Sequence, residues 1–128
     1  MHKILDILLS TITDAICLCR QLGIHLPWVD CLCIDQTDEA DKHSQIANMD
    51  RVYSNACLTI IAAGGIDANA GFPGLGDVFR TVRSKIYSAE FVTSHRKSKN
   101  LVTRSRWYTR GRTFQELVLS RRALIFTE

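Results

Sequence analysis

At 128 residues and 46% hydrophobic content, the chain is long enough for one globular domain, or a piece of one, with a modest core. Its formal net charge of +3 hides an asymmetry. Residues 1–77 carry ten acidic and four basic side chains, whereas residues 78–128 carry three acidic and twelve basic ones. We expect these two halves to attract each other. The basic half lacks a basic-aromatic repeat and a recognition-helix motif, which disfavours nucleic acid as a partner.

The cysteines and the hydropathy pattern constrain the environment of the chain. Five cysteines are an odd number and no secretory signal sequence precedes them, which predicts reduced thiols in an intracellular protein. Cys17 and Cys19 lie two positions apart in a predicted helix and point in different directions, so we expect buried structural thiols and no metal site. No apolar run reaches the ~20 residues of a membrane-spanning helix.

The first regular element is predicted to begin at Ser10, since residues 1–9 are too irregular to define one. Apolar side chains then recur at helical spacing, at Ile12, Ala15, Ile16, Cys19 and Leu22. Thr11 with Asp14 three residues later resembles a capping box, and Gly23 supplies the stop. This stretch predicts an amphipathic helix of about three turns.

Residues 28–36, W-V-D-C-L-C-I-D-Q, form a short apolar run that ends in acid. Such a run predicts a strand buried on both faces, with its acidic end where ligands bind in open α/β sheets. Asp30, Asp35 and Gln36 are therefore candidate ligand-binding residues. The alternative is that Asp30 pairs with an arginine such as Arg110, because a buried carboxylate needs a partner, and that Asp35 caps a turn.

A helix and a second strand follow this run. Asp38 is a predicted N-cap for a helix that extends to about Asn55. Residues 57–63, C-L-T-I-I-A-A, predict another buried strand, which Gly64 and Gly65 end. Strand, helix and strand over this distance predict a right-handed βαβ unit. The expected fold is therefore α/β, with a mainly parallel sheet flanked by helices.

The pattern loosens over residues 66–100, which predict a long connection with short elements of helix or strand at 80–86 and 90–93. Residues 94–100 form a basic turn with no apolar side chain. Regular structure returns after this connection. Thr113 with Glu116 is a second capping-box match and predicts a helix through Leu119. Residues 123–126 predict a closing strand.

Three blocks of sequence now stand in a recognisable order: W-V-D-C-L-C-I-D-Q at 28–36, R-V-Y-S-N-A-C-L-T-I-I-A-A at 51–63, and T-R-G-R-T-F-Q-E-L-V-L-S-R-R at 109–122. Together they resemble the heterokaryon incompatibility (HET) domain of filamentous fungi, and the helix at 11–24 matches the segment that precedes the first block. The resemblance covers residues 10–126, whereas residues 1–9 do not match.

The resemblance implies a cytoplasmic fungal domain that triggers programmed cell death when genetically different cells fuse, acting with protein partners or by self-association. It also implies a distant similarity to Toll/interleukin receptor domains, some of which hydrolyse NAD. NAD glycohydrolase activity is therefore the alternative function, with NAD as a candidate substrate and no cofactor. A third alternative is an inactive fragment of such a domain.

Two departures from the family pattern bear on these expectations. Family members begin with a strand upstream of the first helix, and residues 1–9 do not resemble it, which implies a domain that is incomplete at the N-terminus, through truncation or gene decay. The third block carries Arg112 where a Trp is typical. A guanidinium in that position exchanges hydrophobic burial for a charge that needs a partner.

The third block supplies the remaining candidate residues. In a glycohydrolase, Glu116 would be the catalytic acid, whose carboxylate stabilises the positive charge that develops on the ribose carbon; in the alternative, it closes the capping box. Arg110 and Gly111 suit phosphate binding at the start of a helix. Gln115 is a further candidate ligand-binding residue in the same block. Asp35, Gln36, Arg110 and Glu116 are expected to form one pocket. Tyr53 and Trp107 are expected to be core or interface aromatics.

Overall fold

The structure is a computed structural model that describes residues 9–75, 83–86, 89–92, 98–111 and 113–127. Its helices are α1 Ser10–Gln21, α2 Asp30–Cys33, α3 Glu39–Ala47, α4 Met49–Asn55, α5 Ser98–Thr103 and α6 Thr113–Leu119. A single turn of 3-10 helix, Trp107–Thr109, lies between α5 and α6. The strands are β1 Thr59–Ala62, β2 Arg83–Ile86, β3 Ala89–Val92 and β4 Ala123–Phe126.

The strands form two separate pairs. β1 and β4 are parallel, with Thr59 opposite Ala123 and Ala62 opposite Phe126. The N–H groups of Ala63 and Gly64 extend this pairing, since both donate to the Phe126 carbonyl at 2.8 Å. β2 and β3 pair in antiparallel fashion. The described residues thus combine helices with a small parallel sheet, which is consistent with the α/β class, but that sheet has two strands.

The first helix forms as predicted and ends where Gly23 adopts a φ of 71°. The predicted capping box at its start, however, is wrong. The Gly71 N–H donates to the Thr11 hydroxyl oxygen at 3.2 Å, and the Phe72 N–H donates to the Asp14 carboxylate at 2.8 Å. Both side chains therefore bind a loop that is 60 residues from Thr11 and 58 from Asp14, in place of the start of their own helix.

The predicted buried strand at residues 28–36 is also wrong. Its centre forms the single helical turn α2, and Ile34 is the one buried residue of the nine. Asp30 is exposed and its carboxylate accepts the Cys31 N–H at 2.7 Å, a local bond that competes with strand pairing. The predicted βαβ unit therefore does not form here, and β1 takes β4 as its parallel partner.

The helix predicted from Asp38 begins as expected, because its carboxylate accepts the N–H groups of Ala40 at 2.9 Å and Asp41 at 3.1 Å. It is divided at Asn48, whose φ of −102° and ψ of 10° depart from helical values. The Asn48 side chain donates to the Ser44 carbonyl at 2.8 Å. Two short helices, α3 and α4, therefore replace one long one.

The later part of the chain follows the predictions where it is described. Helix α6 and strand β4 occupy the predicted residues. Of the two short segments predicted in the long connection, the described parts form the β2–β3 hairpin. Residues 94–97 of the predicted basic turn lie outside the described residues, as does Arg112, and residues 98–100 begin α5.

The core lies where the parallel strands meet the 3-10 turn. Ile61 and Ala63 pack with Trp107 in one buried cluster, against which Val102 and Ile125 also pack. Phe72 is only 1% exposed, and its ring stacks on Phe126 with the ring centres 4.3 Å apart. The loop that is hydrogen-bonded to α1 therefore places the Phe72 ring against β4.

Among the described residues, the predicted attraction between the two halves does not take the form of ion pairs. Among the described residues one ion pair is found, between Lys42 and Glu39 at 3.4 Å, and both lie in the acidic half. Asp30 is accordingly not paired with Arg110 in this part of the chain. The halves are joined by the β1–β4 hydrogen bonds and by the buried cluster around Trp107.

The thiols correct another expectation. Cys19 is buried, and burial, with the nearby Cys57 thiol as a smaller cause, raises its pKa. Cys17, Cys31, Cys33 and Cys57 are exposed, so they are not buried structural thiols. Within the described ranges, no three His, Cys, Asp or Glu side chains come together in a group fit to hold a metal ion. No helix there is long and apolar enough to cross a membrane.

Candidate functional site

The larger of two cavities has a volume of about 490 Å³, and most of the residues that line it come from the first half of the chain. Helix α1, the segment that follows it, helix α4 and strand β1 form its walls, and Phe72 and Glu116 complete them. The walls are mainly apolar, with a few polar side chains that include Asp30 and Tyr53. Its volume and lining are those of a small-molecule site, since such sites measure ~300–1,000 Å³ and place few polar groups in an apolar wall.

Two aromatic side chains hold the Glu116 carboxylate on the wall of this cavity. Trp107 donates its indole N–H to one carboxylate oxygen at 2.8 Å, and the Tyr53 hydroxyl lies 3.4 Å from the other. Glu116 is half-buried, whereas Trp107 is buried. The carboxylate therefore joins α6 to the 3-10 turn and to α4, and its position on the cavity wall is set by two aromatic side chains.

This geometry decides against the predicted capping box at Thr113. Thr113 is the first residue of α6, and both its N–H, at 3.2 Å, and its hydroxyl, at 2.6 Å, donate to the Arg110 carbonyl. The two oxygens of Glu116 face Trp107 and Tyr53 instead. Sequence spacing correctly predicts where the helix starts but not what its acidic residue contacts.

Trp107 and Tyr53 were expected to be core or interface aromatics, and the sequence pattern did not connect them with Glu116. Their chemistry alone could have indicated a polar partner, because a buried Trp or Tyr usually donates its N–H or O–H to a hydrogen-bond acceptor. Glu116 lies nine residues from Trp107 but 63 from Tyr53. The second contact is therefore beyond any reasoning from local sequence.

The first block contributes one predicted residue to the cavity, Asp30, which shares its wall with Glu116. Asp35 is exposed and its carboxylate accepts both the N–H of Thr37, at 2.9 Å, and its hydroxyl, at 2.7 Å. These bonds, led by that from the hydroxyl, lower the pKa of Asp35. The Gln36 side chain donates to the Ile34 carbonyl at 3.2 Å. Asp35 thus caps a turn, as one of the two alternatives predicted.

The remaining candidates lie on the surface. Arg110, Gly111 and Gln115 are exposed, and they do not line this cavity. The predicted single pocket of Asp35, Gln36, Arg110 and Glu116 is therefore not assembled, since of these four only Glu116 lines the cavity. Blocks two and three converge through the contact of Tyr53 with Glu116 and through the Thr59 N–H, which donates to the Arg122 carbonyl at 2.9 Å. Block one reaches the same cavity through Asp30. Ligand binding by the surface residues stays a prediction.

These features define a small mixed α/β domain with an apolar cavity of ligand size and a carboxylate fixed on its wall. A sequence model of the family described as "Heterokaryon incompatibility protein (HET)" matches residues 2–116. The chain therefore belongs to the HET family, and its role is related to heterokaryon incompatibility. Neither the curated proteins nor the solved structures compared with the chain include a match.

Proposed function

We propose that this chain is an effector or signalling module of fungal self/non-self recognition, which promotes programmed cell death in the cytoplasm by assembling with protein partners or with itself. The observation that carries the proposal is the family match over residues 2–116 of 128. Heterokaryon incompatibility is itself a response to contact between unlike cells. An effector of that response needs a surface through which a recognition event is transmitted.

Exposed apolar side chains in one stretch of the sequence support such a surface. Leu22, Leu26 and Leu32 are 51%, 92% and 50% exposed, respectively. Single exposed apolar residues are ordinary, but several close together are typical of association surfaces. The stretch also borders the larger cavity, because Leu26 and Asp30 line it. A partner bound here would therefore contact the cavity entrance.

Induced expression of the chain in a filamentous fungus should lower hyphal viability, and Leu26→Asp should restore it, because a charged side chain opposes apolar association. Val118→Asp is the matched control, since Val118 is 58% exposed on α6, and it should remain toxic. Viability and protein level are measured together. Normal growth at full accumulation of the unaltered chain would contradict the proposal.

The second candidate function is hydrolysis of NAD, and the position of Glu116 favours it. A glycohydrolase needs a carboxylate beside the ribose carbon, where positive charge develops as the carbon–nitrogen bond breaks and its electron pair leaves with nicotinamide. Water then forms the new carbon–oxygen bond and releases a proton, which gives ADP-ribose. The Glu116 carboxylate is fixed on the wall of a cavity of ligand size, as this role requires. In this second proposal, the domain is a glycohydrolase of the Toll/interleukin-receptor-like type.

The assay for this candidate is NAD loss over time with the purified chain. Glu116→Gln keeps the shape of the side chain and an oxygen that accepts from Trp107 but removes the charge, so we expect turnover to fall by about 10²–10³-fold. Glu39→Gln, on the exposed face of α3, removes the same charge and should leave turnover unchanged. Equal rates for both variants, or no NAD loss by the unaltered chain, would exclude this role. No activity in either assay would favour an inactive fragment.

A further inference from the structure

A second cavity lies at the carboxyl ends of the parallel strands, away from Glu116. It measures about 330 Å³, and residues 63–66 and Thr127, which follow β1 and β4, form one side of it. Leu101 and residues 104–106, at the end of α5 and after it, form the other side. In open α/β sheets, ligands bind outside the carboxyl ends of parallel strands. Its position is therefore that of a binding site in this class of fold.

The charged side chains that the structure describes on its wall are both basic. Arg104 and Arg106 line the cavity, and among the described residues no acidic side chain does. Arg106 donates to the Ile66 carbonyl at 3.4 Å, which holds its guanidinium against the strand exit. Among the described residues, neither arginine lies within ion-pair distance of a carboxylate. Two cations thus share one cavity without a neutralising partner in this part of the chain.

Close packing around Gly65 shapes the strand exit that forms the other side. A Cβ atom at Gly65 would lie 2.9 Å from the Ala70 side chain and 3.2 Å from the Asp67 carbonyl, so a larger residue would displace the loop. The N–H of Gly64 already donates to Phe126. The backbone here therefore shapes the cavity, and the guanidinium groups supply its charge.

We propose that this second cavity binds the phosphate group of a small phosphate ester. A guanidinium offers a planar pair of N–H donors that matches two phosphate oxygens, and two such groups on one wall balance a dianion. The volume, at the lower end of the range for small-molecule sites, leaves room for a modest organic group attached to the phosphate. The ligand is thus a phosphate monoester or free phosphate, bound independently of any chemistry at Glu116.

The test is calorimetric titration of the purified chain with inorganic phosphate and, separately, with adenosine monophosphate. Arg104→Gln and Arg106→Gln should each weaken binding by about tenfold, since each removes a charge-assisted hydrogen bond. Arg121→Gln removes the same charge at an exposed position outside the cavity and should leave the affinity unchanged. Tighter binding of the monophosphate than of inorganic phosphate would show that the organic group also contacts the cavity.

Two outcomes would overturn the proposal: no heat of binding with either probe, or an equal loss of affinity in Arg121→Gln, which would indicate general attraction to a basic surface. Thermal unfolding of each variant checks that the fold is intact. Both arginines are exposed, but Arg104 provides the safer variant, because Arg106 additionally donates to the Ile66 carbonyl. Neither calorimetric titration nor thermal unfolding depends on catalysis by Glu116. The phosphate-binding proposal can therefore fail while the proposed function stands, and the reverse.

Discussion

Replacement of Phe72 by alanine should lower the free energy of unfolding by about 3–5 kcal/mol, the usual cost of truncating a buried aromatic. Phe72 is 1% exposed and stacks on Phe126, so the cavity left behind would lie between the loop and β4. The hydrogen bond from its N–H to Asp14 does not involve the side chain and should persist. The loss therefore measures packing alone.

Chemical denaturation of the variant measures this loss, and two further substitutions calibrate it. Phe72→Leu should cost less, because it retains part of the buried volume. Leu26→Ala, at a position that is 92% exposed, should change the stability by no more than about 0.5 kcal/mol. A loss below about 1 kcal/mol for Phe72→Ala would show that the ring is not part of the core.

Replacement of Trp107 by alanine should have a similar effect, about 3–5 kcal/mol. Trp107 is 7% exposed and belongs to the cluster with Ile61 and Ala63. Trp107→Phe separates the two contributions, since it keeps most of the apolar surface but removes the N–H that Glu116 accepts. We expect this variant to cost about 1–3 kcal/mol, the penalty for a half-buried acceptor that loses its partner.

A double-mutant cycle shows whether the bond from Trp107 to Glu116 accounts for that penalty. Trp107→Phe and Glu116→Ala should be non-additive by about 0.5–3 kcal/mol in denaturant unfolding, because both remove the same bond. Thr103→Ala paired with Trp107→Phe is the control, since within the described part of the chain the Thr103 hydroxyl donates only to carbonyls of α5. Additive losses in the first pair would mean that the 2.8 Å contact contributes nothing to stability.

Neither of the two predicted capping boxes forms, and the physical reason is the same for both. At Asp14 and at Glu116, local spacing predicted a bond to the start of the same helix. In the folded chain, Asp14 accepts from Phe72 and Glu116 accepts from Trp107. Both donors belong to buried residues, and a buried N–H without an acceptor costs more free energy than an N–H at a solvent-exposed helix terminus, which water can satisfy. The helix positions were therefore predictable, but the acceptors' partners were not.

What the sequence by itself determined is local. The start of α3 after its N-cap Asp38 and the end of α1 before Gly23 depend on contacts and backbone angles within a few residues. The positions of α6, β1 and β4 agree with the local pattern of apolar and turn residues. The three ordered blocks also indicated the HET family, which the match over residues 2–116 confirms.

Only the tertiary structure decided which of these elements meet. The run at 28–36 has the composition of a strand, but it forms the turn α2, and β1 pairs with β4. Asp30 and Glu116 reach one cavity from distant positions, and Arg104 and Arg106 meet the ends of β1 and β4 at another. The reason is physical: helix and turn signals act over three or four residues, whereas strand pairing and cavities depend on side chains that are brought together only when the whole chain folds.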